Sequence, residues 1–244
     1  MSVVPPSRPS RRRLWWTGIG LMTVAAMGVA GYSAPAYLTG NPALSRIPIN
    51  PDIAVHYLSI AVHAVPASLA LFLGPLQFIT PLRVRFPRLH RVVGRIYMIS
   101  IVVAALAAIF ATIFTLNGIP VQVGFALLIG AWVYTLAQGY RSIRRGEVQL
   151  HRIWMIRNYS FTFAAVVLRV FLGLGVILRM SYPWLSFDDI YPASVWASVL
   201  ICAVVPEYFI IQRMLVPLAR RQQRRDAAKS TRPKAANVGP ASSA

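Results

Sequence analysis

The chain has 244 residues, 57% of them hydrophobic and only 13% charged, where a soluble globular chain carries about a quarter charged residues. Its apolar residues come in long runs and the mean hydropathy is +0.58, which excludes a soluble domain. The formal charge of +19 is bunched between those runs, so it reads as the positive-inside signature of a membrane protein and excludes nucleic acid as a partner.

Six segments qualify as transmembrane helices: 14–37, 54–80, 93–116, 120–140, 153–178 and 190–214. Each supplies the ~20 residues that cross a hydrocarbon core of ~30 Å. Lipid offers no partners for free backbone groups, so helices are the predicted form. The first run follows SRRRLWW, which resembles a twin-arginine signal. That run is longer than a signal h-region and further spans follow, so it reads as a membrane anchor. The breaks are NPALSRIPINPD (41–52), NGIP (117–120) and SYPWLSFDD (181–189). Trp15, Trp16, Trp154 and Trp184 read as interfacial belts. The predicted organisation is a basic segment 1–13, a six-helix domain 14–216, and a basic tail 217–244 whose composition predicts disorder.

Lysine and arginine set the orientation. Residues 1–13 hold four, 83–95 five, 141–157 five and 213–244 eight, which is 22 of the 25. With six spans these all fall on one side, so both termini are expected to be cytoplasmic in a multi-pass protein of the inner membrane. Arg46 and Arg179 fall on the other side, with Asp52, Asp188 and Asp189.

One stretch repeats. LHRVVGRIY (89–97) returns as LHRIWMIRNY (150–159), and each histidine follows a glutamine by thirteen positions, Gln77 before His90 and Gln138 before His151. The copies open the third and fifth spans from the same side. Spans two to five therefore form two hairpins related by a pseudo-two-fold axis along the membrane normal. In an up-down four-helix bundle the third and fifth spans lie diagonally across the core, with His90 and His151 at equal depth. The predicted fold is thus all-α and polytopic, six transmembrane helices around a pseudo-symmetric four-helix bundle.

The histidine pair has three readings. Two imidazoles on facing helices suit the axial positions of a haem, with haem b the leading candidate cofactor. They equally suit an anion or headgroup site shared with Arg91, Arg95, Arg152 and Arg157. The structural reading is an interfacial helix entrance whose arginines reach lipid phosphates.

Three further residues are expected within the membrane. Arg169 lies about ten residues, hence ~15 Å, from the outer end of its span. His63 lies at a similar depth in the second span, and His56, one heptad earlier, at the outer interface. Glu207 follows the kinking Pro206 in the sixth span, where it is a candidate partner of Arg157. Charges at such depth are costly and mark either a structural network or a functional cavity. Arg169 is expected to point inward, towards the second span.

No HExxH, GxSxG, GxxxxGK[ST] or GxGxxG motif occurs, and Cys202 is the only cysteine, so no metal site and no disulfide is predicted. The runs HAVPASLALFLGPLQF, LHRVVGRIYM and HRIWMIRNYSFTFAAVVLR resemble a bacterial membrane-protein family catalogued as a domain of unknown function (family 2306). The resemblance covers residues 55–215 and falls on His63, Gly74, Gln77, His90, Arg91, Gly94, Arg95, Tyr97, His151, Arg152, Arg157, Tyr159 and Arg169. It implies no activity. A looser likeness joins the chain to two-haem transmembrane cytochromes, which hold haem between histidines of a four-helix bundle; with one matched pair here, it implies at most one haem. Three function classes stay open: a haem-dependent electron-transfer protein, a transporter or ligand-binding protein with a polar cavity for a small molecule, and a structural or assembly factor. Enzymatic activity and oligomeric state stay open with them.

Overall fold

A computed structural model of the chain describes residues 11–47 and 49–211, together with 215, 216 and 223. The basic segment 1–10 and most of the tail predicted from 217 lie outside the described residues. Among those described there are seven α-helices and no strand. They are α1 (Arg11–Leu38), α2 (Ala54–Gln77), α3 (Thr80–Arg85), α4 (Pro87–Ile113), α5 (Gly118–Arg144), α6 (Val148–Ser181) and α7 (Phe187–Ile210), with a short 3-10 turn at Pro42–Leu44. All but α3 are long and apolar enough to cross a membrane.

Several helices start before the apolar runs do. α4 begins at Pro87 and α6 at Val148, six and five residues earlier than hydropathy suggests. Pro87 suits a first helical turn, where the missing N–H has no intrahelical role and φ is already helical. Arginines there can extend into the headgroup layer, so charge does not end the helix. α6, with 34 residues, runs for about 50 Å. Gly118 (φ 79°) and Gly146 (φ 77°) make the sharp reversals before α5 and α6, in backbone that a side chain rarely tolerates.

α2, α4, α5 and α6 form a ring in that order, each packed on the next and α6 closing against α2. α4 and α6 are therefore diagonal, as the repeat implies, and α1 lies outside the ring against α2 and α6. The core is built from small residues, Ala26, Ala30, Ala70, Ala104 and Ala105, around Leu71, Ile101 and Val166. Small side chains let helices approach closely, the main source of cohesion where lipid is as apolar as the core. The Tyr159 ring lies flat over Gly74, in space that any Cβ there would occupy. α7 joins the ring through Val195 beside Gly124 of α5 and Ile190 beside Gly175 of α6. From Val205 on, the chain forms a second compact unit, of which the end of α7 is described. Leu106, Ile109, Phe110 and Ile113 on α4 and Leu174 and Ile177 on α6 face outward, as a lipid-facing belt should.

The two hairpins differ at one point. α5 continues to Arg144, whereas its counterpart α2 stops at Gln77 and α3 follows. Pro81 stands where the second copy has Ser142. Proline has no N–H to return to the Gln77 carbonyl, so the helix cannot run through; Ser142 continues it and sends its hydroxyl to Gln138 O, 2.8 Å away. α3 was not foreseen; Pro81 stands in its first turn, a position that suits proline.

Candidate functional site

At the bundle axis lies a buried hydrogen-bonded cluster. The Tyr97 hydroxyl donates to Asn158 Oδ1 (2.8 Å) and meets Thr162 Oγ1 at 3.0 Å. Asn158 Nδ2 donates to the Trp132 carbonyl (2.9 Å) and to Thr135 Oγ1 (3.2 Å), and Trp132 Nε1 donates to Thr162 Oγ1 (2.8 Å). The Asn158 amide has a partner for each of its functions, as full burial requires. The cluster ties α4, α5 and α6 together at mid-bundle.

Trp132 and Thr162 also form the floor of a cavity of about 640 Å³ that occupies the half of the bundle away from the arginine-rich end. Exposed Arg46 lines its mouth, with its guanidinium 4.5 Å over the Tyr32 ring. The walls are mostly apolar, and the polar groups among them include Ser33, Tyr37, His56, His63, Arg169 and Tyr191. No described lining residue is acidic.

Arg169 sits twelve residues, about 18 Å, from the end of α6. It points inward, as expected, but its partners are neutral and on other elements than expected. Nη2 donates to Ser33 Oγ of α1 (2.8 Å) and Nη1 to Ala165 O one turn back (2.9 Å). Its hydrogen bond to another helix runs to α1, where α2 was expected.

The two cavity histidines have fixed polarities. His63 Nδ1 lies 2.9 Å from Ala104 O, and a carbonyl only accepts, so this nitrogen carries the proton. His56 Nδ1 accepts from the Asn50 N–H at 2.8 Å, so in its neutral ring the proton is on Nε2. His56, in the first turn of α2, is buried, 2% exposed, and its Asn50 contact holds the α1–α2 connection against it.

At the arginine-rich end, His90 and His151 occupy the same place in their helices. Each backbone N–H closes the first turn, His90 on Phe86 O (3.1 Å) and His151 on Glu147 O (2.9 Å). The rings differ. His151 Nδ1 bonds Gly139 O at 2.8 Å. The corresponding acceptor for His90 would be Phe78 O, but α2 has ended there, and His90 Nδ1 is buried without a partner, as is Gln77 Nε2. Arg83 of α3 and His151 lie within electrostatic reach of His90. Partial burial and the Arg152 charge hold the Arg83 guanidinium below its ordinary range. Arg91, Arg95 and Arg152 are exposed. Arg157 is half-buried with its guanidinium 4.6 Å over the Trp154 ring. Glu207, half-buried, belongs to the unit that begins at Val205.

Sequence reading offered a cavity near Arg169 and His63 as one alternative, but missed the axial cluster and the parts of Ser33 and Arg83. One signal was available for the cluster: a fixed offset of sixty-one from each histidine aligns Tyr97 with Asn158, whereas the Arg-x-Tyr motif points to Tyr159.

No curated protein and no solved structure matches the chain. The family model described as "Predicted membrane protein (DUF2306)" matches residues 60–210, from the middle of α2 to the end of α7. That match takes in the four-helix ring but for the first turns of α2, and with it the axial cluster, His63 and Arg169, though not the α1 side of the cavity: the chain belongs to the DUF2306 family of membrane proteins.

Proposed function

We propose that the protein binds an amphipathic small molecule with an anionic head inside the membrane, as a ligand-binding protein or transporter. The observation that carries this is Arg169, a cation deep in an apolar cavity whose partners are one hydroxyl and one carbonyl. An isolated charge at such depth costs several kcal/mol, and an anion on the guanidinium would offset much of it. The apolar walls suit an acyl or ring system. We take the arginine-rich end as cytoplasmic and the membrane as the bacterial inner membrane, so the cavity opens outward; the distribution of Lys and Arg supports this. The test is displacement of a fluorescent fatty acid by dodecanoate from the full chain in nanodiscs. Saturable binding that Arg169→Gln abolishes is expected; binding unaffected by that change, or none, overturns the reading.

A second reading concerns the other end. His90 and His151 stand at matching positions of diagonal helices, and each keeps a ring nitrogen without a protein partner. The Gly139 bond to His151 Nδ1 is the kind of contact that orients a ligating imidazole. This favours bis-histidine ligation of haem b, which would make the protein an electron carrier. Protein expressed with ample haem would then show a Soret band that shifts with dithionite, with sharp α and β bands lost in His90→Ala and His151→Ala. A colourless protein ends this reading and leaves the cavity untouched.

A further inference from the structure

The polarity of the cavity narrows its ligand further. Arg169 and, through Nε2–H, neutral His56 can only donate. His63 is different. Its Nδ1–H is committed to Ala104 O, no other bond is made by its ring, and it lines the cavity. Its Nε2 is not among the enclosed, unpartnered atoms of the described residues, so that nitrogen opens on the cavity. A second positive charge beside Arg169 in apolar surroundings is unfavourable, so the ring is neutral and Nε2 presents a lone pair. The site therefore offers a donor for an anion and, in the same cavity, an acceptor fixed by the fold.

We infer that the ligand carries a hydroxyl beside its anionic group, the anion seated on Arg169 and the hydroxyl donating to His63 Nε2. This rests on the proposed anion-binding role of the cavity and adds the feature that selects among amphipathic anions. A simple carboxylate leaves Nε2 without a partner from the ligand; a 2-hydroxy acid fills both positions. Aliphatic length is tolerated by the apolar walls, whereas the hydroxyl is read by a group that cannot reverse its polarity without losing the Ala104 bond.

The experiment compares dodecanoate, 2-hydroxydodecanoate and 2-methoxydodecanoate on the full chain in nanodiscs. The methyl ether keeps the oxygen but has no proton to donate. The hydroxy acid is expected to bind about tenfold more tightly than the other two, a moderate value for a site built around one hydroxyl. In His63→Phe the three should converge on the affinity of dodecanoate, with a melting curve in detergent checking that the variant folds. Should it fail to fold, the wild-type ranking decides: the ether keeps the oxygen but lacks the proton, and dodecanoate, with no substituent, controls for the bulk of the ether's methyl group. Equal binding of all three overturns the hydroxyl inference and leaves the anion reading standing. If none binds, both fall.

Discussion

The Tyr97 hydroxyl lies 2.8 Å from Asn158 Oδ1, and the two residues are sixty-one positions apart, the same offset that separates His90 from His151. Symmetry-related residues can touch only where they meet on the axis. This bond therefore marks the pseudo-two-fold, and it explains why a tyrosine and an asparagine occupy equivalent places. Two tyrosines would crowd the axis, and two asparagines would leave it unfilled.

Tyr97→Phe is expected to lower stability by about 1–2 kcal/mol, the cost of leaving Asn158 Oδ1 buried without its donor. Asn158→Leu should cost more, since Trp132 O, Thr135 and Tyr97 each lose a partner. A double-mutant cycle read by unfolding in detergent would show coupling; strictly additive effects would mean that the bond contributes nothing.

Arg169→Met should raise the stability of the ligand-free protein by about 1–3 kcal/mol while removing fatty-acid binding, because it replaces a desolvated charge with a side chain of similar length. Ser33 loses an acceptor role that its hydroxyl can do without by turning to its own helix. A destabilised variant would instead assign Arg169 to the framework.

Gly74→Ala should destabilise by ~2 kcal/mol or more, because its methyl group would enter the Tyr159 ring and displace the bond from Tyr159 to Leu71 O. Gly130→Ala, which meets nothing within 4 Å, is the matched control and should be neutral or slightly stabilising. Comparable melting temperatures for the two variants would contradict the packing.

Orientation can be checked in a Cys202→Ser background, since that thiol is buried. Single cysteines replacing Ser45 or Ser186 should react with an impermeant maleimide added outside intact cells; those replacing Arg88 or Glu147 should react only after lysis. Outside labelling at Arg88→Cys would reverse the topology.

Much of the fold was legible. Span number and the diagonal placement of α4 and α6 follow from apolar run length and the LHR repeat. Helix starts were not, because hydropathy ends a run at its arginines while the backbone continues through Pro87–Arg95 into the headgroup layer. The extent of the cavity was hidden for a different reason. Ala64, Ala67, Ala108, Ala111, Ala164 and Ala165 line it, and in a sequence such residues signal close helix approach. Here those small side chains leave open space, because α1, α2, α4 and α6 are held at their positions by larger groups such as Tyr37, Ile60 and Tyr159. Arg169 was legible as an inward charge by depth alone; its Ser33 partner was not, since one serine in an apolar helix carries no address.

The axial cluster also bears on electrical behaviour. Trp132 and Thr162 close the cavity at one end, and behind them Tyr97 and Asn158 are bonded to each other and to their neighbours. The amide of Asn158 and the indole N–H of Trp132 are committed to neighbours, so water in the cavity meets bonded groups at its inner end. The expectation is a vestibule closed at that end: protein reconstituted in liposomes should leave their voltage intact, and a steady current would show that the septum opens.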